Sequence, residues 1–269
     1  MLNTMSNSPL KPRSAFGSPR KSDLVVAIDF GTTYTGVAFA YAHRTTILGE
    51  TGLSPDQLRD KVTVLKSWPG VAGSYTDKVP STLAYNSSGQ VVAWGGKVSP
   101  SHPITVSHFK LGLQEGMNEH YAFGKRPEAQ RNSLEKMLSR GAWEHTMLND
   151  KEAYDHVENF LKEIREYVVT EALPKDFGKT FLDSVSIRYV LTVPAIWSEK
   201  AKHLTQKAAH RIGIPGPDLT MIAEPEAAAL YCSTLCHEVD LKDGDYFMVC
   251  DAGGGTVVSL YSGKWVDFQ

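Results

Sequence analysis

Three observations predict an α/β fold. Continuous apolar strands recur at 24–30, which is rich in β-branched residues, at 187–193 and at 246–250. Helical stretches with apolar residues at 3.6-residue spacing lie between the later strands. Two strands run into an aspartate and then a tight Gly/Thr turn, in "AIDFGTTYTG" and "VCDAGGGTV". An order of hairpin, long helix, strand, helix, strand, helix, strand buries helices against the faces of a sheet. At 269 residues the chain suits one large domain or two medium ones.

Taken in order, residues 1–22 carry Lys11, Arg13, Arg20 and Lys21 without any acidic residue, in a Ser/Pro-rich stretch lacking hydrophobic periodicity. They read as a basic, disordered tail. A transit peptide is the alternative, opposed by three prolines and the lack of an amphipathic face. Ser8 and Ser18 precede proline, a setting open to phosphorylation. Residues 24–30 and 34–41 then form a hairpin around Gly31, Thr32 and Thr33, with Val37, Phe39 and Tyr41 on one face.

Across 43–150 the pattern is irregular. "VTVLKSWPG", "VPSTLAYN" and "VVAWGG" read as short strands, and 127–150 as a polar helix. The strongest helix follows, with Tyr154, Val157, Leu161, Ile164 and Val168 along one stripe. Asn149 is its expected cap, with Glu152 reaching back, and Pro174 its expected stop. Strand Ile187–Val193 ends at Pro194, Ser198 caps the next helix, and Gly213 terminates it. "LTMIAEPEAAALYCSTL" reads as a short strand and a helix with Pro225 in its first turn, and "YFMVC" as the last strand.

Composition excludes several classes. Net charge is −2, which leaves −6 outside the basic tail, a poor surface for nucleic acid. No apolar run approaches the roughly 20 residues of a membrane span. Cys232, Cys236 and Cys250 make no disulfide framework, which suits a reducing, cytoplasmic setting. Cys232, Cys236 and His237 lack a second ligand pair for a metal, so buried structural cysteines are the preferred reading.

The two Asp-first turns carry the chemistry. Glycine lets backbone N–H groups approach phosphate oxygens without a Cβ clash, and threonine hydroxyls add donors. Aspartate at a strand end can hold Mg²⁺ through water beside those phosphates. Neither turn has the Walker lysine or the dinucleotide-binding glycine spacing. One such turn alone reads as an ordinary hairpin. Two of them, about 220 residues apart, suggest a clamp in which two related subdomains grip a polyphosphate.

These stretches resemble the nucleotide-binding domain shared by actin, sugar kinases and the seventy-kilodalton heat-shock chaperones. "IDFGTTYTGVAFA" and "VCDAGGGTV" are similar to its first and second phosphate motifs. "VLTVPAIWSEKAKHLTQKAAHRIGI" resembles its first connecting segment. "TTY" together with "AEPEAAALY" points to the chaperone branch, and "SWPG" and "FKLGL" to divergent heat-shock-like proteins of eukaryotes such as filamentous fungi. The resemblance runs from Asp23 to about Val257 and is loose across 43–150. It implies a ribonuclease-H-like fold. Residues 23–245 would form the first lobe, 43–150 a divergent inserted subdomain, and 246–269 only the start of a second lobe.

The resemblance also implies roles, with ATP or ADP and Mg²⁺ as ligands and protein clients or co-chaperones as partners. Asp29 would orient metal-bound waters, and Glu224 would hold another water of that shell. Gly31, Thr32, Thr33 and Tyr34 would line the phosphate tail. Lys110 would stand beside the γ-phosphate and position the attacking water, which Asp251 would help orient. Gly253, Gly254, Gly255 and Thr256 would cradle the β- and γ-phosphates. A solvated Lys110 and a Glu224 that merely favours its helix dipole are the bland alternatives. Two other functions stay open: a non-enzymatic interaction fragment, and a sugar-kinase-type phosphotransferase, for which no catalytic aspartate or sugar pocket is identified.

The pattern breaks at Val258, where the family carries an acidic residue, and "SLYSGKWVDFQ" does not resemble its continuing strands. Val258 and Ser259 can be encoded by the usual start of an intron, so read-through or a mis-drawn gene is one expected cause. An incomplete copy is then expected, with the last strand deprived of sheet partners and ATP affinity weak or undetectable.

Overall fold

The computed structural model describes residues 22–43, 61–71, 76–114, 150–235, 244, 246–251 and 259–264. Strand β1 (Ser22–Phe30) occupies the middle of the main sheet. Its alternation buries Leu24, Val26, Ile28 and Phe30 on one face. Strand β2 (Tyr34–His43) folds back antiparallel from Phe30↔Thr35 to Ser22↔His43, which is the expected hairpin. Short strands β3 (Val62–Val64) and β4 (Lys78–Pro80) both pair with the outer edge of β2, at Ala38–Ala40 and Tyr34–Gly36 respectively. On the other side, β8 (Ser186–Val193) and then β9 (Leu219–Ala223) continue the sheet, with β1, β8 and β9 mutually parallel.

Strands β5 (Thr82–Tyr85), β6 (Val91–Trp94) and β7 (Thr105–Ser107) form a separate sheet in the order β6-β5-β7. The sequence did not mark β7, whose three residues are too few for a period to show. Between these sheets runs α1 (Asp150–Tyr167). Its predicted stripe is buried, and Phe160 between its members packs its ring at a tilt, 6.0 Å from Phe30 and 5.5 Å from Phe109.

Pro174 does not stop this helix. A wider π-type turn, Val168–Ala172, leads into α2 (Leu173–Phe177), where Pro174 sits in the first turn. Across the wider turn Leu173 N–H donates to Val168 O, five residues back, and the helical path passes Pro174 unbroken. The chain turns out at Gly178, with φ +76°, and makes one more helical turn, α3 (Lys179–Leu182).

Helix α4 (Glu199–Arg211) is bounded as expected. The Ser198 hydroxyl accepts from Ala201 N–H, and Gly213 at φ +91° closes the other end. There Gly213 N–H donates to His210 O and Ile214 N–H to Ala209 O, satisfying two terminal carbonyls. Helix α5 (Glu224–Leu235) starts directly from β9. Cys232 on it is exposed, contrary to the buried structural role expected for it. The α5 segment EPEAAALYCSTL has no strong apolar stripe to bury that position.

Strand β10 (Tyr246–Asp251) is not partnerless. It pairs antiparallel with β11 (Ser259–Lys264), from Asp251↔Ser259 to Tyr246↔Lys264. The sequence reading missed β11 because the family resemblance ends just before it and Gly263 weakens its strand signal. The basic tail up to residue 21, the Asn149 cap and residues 127–149 of the expected polar helix lie outside the described residues, while Ser22 already belongs to β1 and Asp150 to α1. Among the described residues, no helix is long and apolar enough to cross a membrane.

Candidate functional site

Ligands of parallel sheets gather where strands end at their carboxyl side, because the following turns expose unpaired backbone groups there. Three adjacent parallel strands of this protein end in polar side chains. Asp29 stands near the end of β1, Thr192 near the end of β8, and Glu224 directly after β9. The register aligns Ile28 with Leu191, so Asp29 and Thr192 follow on the same face. The Thr192 hydroxyl donates to Asp29 Oδ1 at 3.0 Å.

Lys110 ties two of these strand ends together. It lies in a single 3₁₀ turn, Phe109–Leu113, all of whose residues are buried. Its ammonium donates to the Phe30 carbonyl at the end of β1 and lies 2.6 Å from Glu224 Oε1. The Phe30 and Trp197 rings flank it, with centroids 5.2 and 5.3 Å away. Only 3% of the side chain reaches solvent, so the reading of a solvated surface lysine does not hold. Glu224 likewise does more than favour its helix dipole, since it carries the lysine's charge in a place where an unpaired ammonium would be strongly disfavoured.

The turn entering Lys110 starts at His108, whose φ of 59° is left-handed. Burial pushes the His108 pKa below the ordinary imidazole value, so the neutral ring is the form the fold favours. Its Nδ1 lies 2.9 Å from the Ser107 hydroxyl.

Gly31 opens the turn between β1 and β2, and a Cβ there would collide with the Tyr34 carbonyl oxygen. Only glycine fits so close a backbone approach. Ser81 braces the turn from beneath. Its hydroxyl donates to Gly31 O at 2.8 Å and shares a 2.9 Å hydrogen bond with Thr35, and its N–H donates to Thr33 O. Thr32 and Thr33 are half-buried, and Tyr34 is exposed. Asp251 ends β10 at the mouth of the second hairpin, while Gly253, Gly254, Gly255 and Thr256 lie outside the described residues.

Sequence reasoning missed Lys78, Ser81 and Thr192. Lys78 Nζ lies 2.8 Å from Asp29 Oδ2, so each expected carboxylate of the metal shell already carries an ammonium. Among the described residues, no three His, Cys, Asp or Glu side chains gather as a metal cage. Asp29 and Glu224 offer hard oxygen donors from the ends of β1 and β9, which flank β8, with 45% and 21% of their side chains open to solvent. That donor set fits a hydrated Mg²⁺ held through water rather than a directly ligated ion.

The architecture defines a mixed α/β protein with a polar site at parallel strand ends. The chain is distantly similar to Hsp70-like proteins. It is 26% identical over 240 residues to heat shock 70 kDa protein 12B of Homo sapiens, covering 86% of this chain and 31% of that protein. It is 25% identical to heat shock 70 kDa protein 12A of Mus musculus and of Homo sapiens, each time covering 79% of this chain and 29% of the relative. The chain thus spans about three-tenths of the length of these relatives. No family model matches it. The mixed α/β architecture is compatible with an actin-like ATPase-type fold.

Proposed function

We propose that this chain forms the phosphate-gripping lobe of an Hsp70-like, ATP-hydrolysing domain of ribonuclease-H-like fold. One observation carries the reading: Asp29, Thr192, Glu224 and Lys110 converge at three adjacent parallel strand ends, beside a turn that only glycine can form. Distant likeness to the 12A and 12B heat-shock proteins supports it.

In this reading, Gly31, Thr32, Thr33 and Tyr34 meet the phosphate tail. Lys110, fixed by Phe30 O and Glu224, presents a charge that needs no reorganisation when negative charge grows on the transferred phosphoryl group. Asp29 and Glu224 would hold the waters of a Mg²⁺ ion, which when bound would neutralise phosphate charge. Asp251 orients the attacking water, and Gly253, Gly254, Gly255 and Thr256 cradle the phosphates from the second hairpin. The chaperone-like role, with protein clients or co-chaperones and a cytoplasmic setting, belongs to the same proposal.

Phosphate release from ATP, measured without added sugar, tests it. Hydrolysis that falls at least about 100-fold in Lys110→Ala supports the reading, since loss of one transition-state donor has that scale. Circular dichroism of the variant separates lost chemistry from lost fold. Absence of both hydrolysis and saturable ADP binding in the wild type, even at millimolar nucleotide, overturns it, and turnover that needs a sugar favours a phosphotransferase.

A further inference from the structure

Lys78 is placed at Asp29 by sheet register. Gly36 of β2 pairs with Asp29 of β1 on one side and with Lys78 of β4 on the other. Residues paired directly across strands stand on the same face, so the three form one row. Its middle member has no side chain. The lysine stem crosses that gap, and a Cβ on Gly36 would stand 3.4 Å from Lys78 Cγ and 3.6 Å from Cε. The ammonium then reaches Asp29 Oδ2 at 2.8 Å, while Thr192 holds Oδ1.

The two lysines of the site differ in freedom. Lys110 is enclosed by a carbonyl, a carboxylate and two rings. Lys78 is 53% exposed and its partner Asp29 45% exposed, so this pair can exchange partners with little loss of stability. A hydrated dication drawn to Asp29 meets an ammonium already on the carboxylate. A polyphosphate arriving at the Gly31 turn meets the same ammonium as an attractive partner.

We propose that Lys78 is a built-in counter-cation of the phosphate site. It competes with a divalent ion for Asp29 and moves onto a phosphate oxygen when nucleotide enters, which makes nucleotide binding only slightly dependent on Mg²⁺. The nucleotide half of this statement rests on the function proposed above, whereas the competition for Asp29 does not.

Two titrations test it on the full chain. In the first, Mn²⁺ alone is titrated and the free ion read by electron paramagnetic resonance. Lys78→Met is expected to bind Mn²⁺ about tenfold more tightly than wild type, on the scale of removing one charge beside a dication near a surface. Adding Asp29→Asn should abolish the gain. Gly36→Ala, which crowds the stem while keeping the charge, should shift affinity the same way by a smaller factor. In the second, a non-hydrolysable ATP analogue is titrated calorimetrically with Mg²⁺ or with chelator. Wild type and Lys78→Arg should differ by less than about threefold between the two conditions, and Lys78→Met by more than about tenfold.

Mn²⁺ binding that is equal in wild type and Lys78→Met, or undetectable in both, overturns the competition. Equal Mg²⁺ dependence of the analogue in both proteins overturns the exchange onto phosphate. Absence of analogue binding in every protein refutes the nucleotide reading and the exchange with it, and the Mn²⁺ series still decides the competition.

Discussion

Strand β1 runs to Asp29 with Leu24, Val26, Ile28 and Phe30 sealed in the core, whereas β10 runs to Asp251 with Tyr246 80% and Met248 67% exposed. Both are apolar strands that lead through aspartate into a glycine-containing hairpin, and both pair antiparallel with the strand that follows. The first is backed by a six-stranded sheet and by α1, and the second lies in a two-stranded sheet. Local sequence thus marks both Asp-first strands, but not how firmly each is held. That comes from what packs behind the strand, and a hairpin of two strands has little packing of its own.

Matched substitutions can break this contrast. Phe30→Ala is expected to cost about 4 kcal/mol, because the ring is fully buried against Phe109 and Phe160 and leaves a cavity. Urea unfolding checks it. A loss below about 1 kcal/mol would mean that the first hairpin is no better supported than the second. Ser81→Ala removes the buried hydroxyl that holds Gly31 O and Thr35, and about 2 kcal/mol is expected from the unsatisfied partners. Amide exchange at the Gly31 turn should rise in the same variant.

A smaller, pH-dependent effect belongs to His108. Its folded pKa lies below that of the unfolded ring, so its contribution to stability is complete above about pH 6.5 and drains away as pH falls through the folded value. Urea midpoints should therefore decline on acidification from neutrality. His108→Asn, which keeps a residue tolerant of φ 59°, should flatten that decline. Smallest of all, Met248→Thr should change stability by less than about 0.5 kcal/mol, since the side chain is already in water. A large loss there would show that β10 is packed after all.

Much of the fold was legible because its signals are local. The stripe Tyr154–Val157–Leu161–Ile164–Val168, the Ser198 cap and the Gly213 terminus each depend on residues within a few positions, and each is found as expected. Pro174 misled because its effect depends on the π-type turn before it, which no period announces. In the site, Asp29, Lys110 and Glu224 stood out through motif resemblance. Lys78 and Thr192 did not, since their bonds to Asp29 span 49 and 163 residues and arise from register and strand order alone. Ser81 shares that fate, reaching Gly31 from 50 residues away.

The Lys110 ammonium has a consequence for time as well as for geometry. Its partners Phe30 and Glu224 lie 80 and 114 residues away along the chain, so both bonds close only after large loops have been pinned. Contacts that complete so late strengthen the native state more than the transition state. Lys110→Met should accordingly quicken unfolding while leaving the refolding rate nearly unchanged. The buried lysine would then act as a latch on the lifetime of the folded protein.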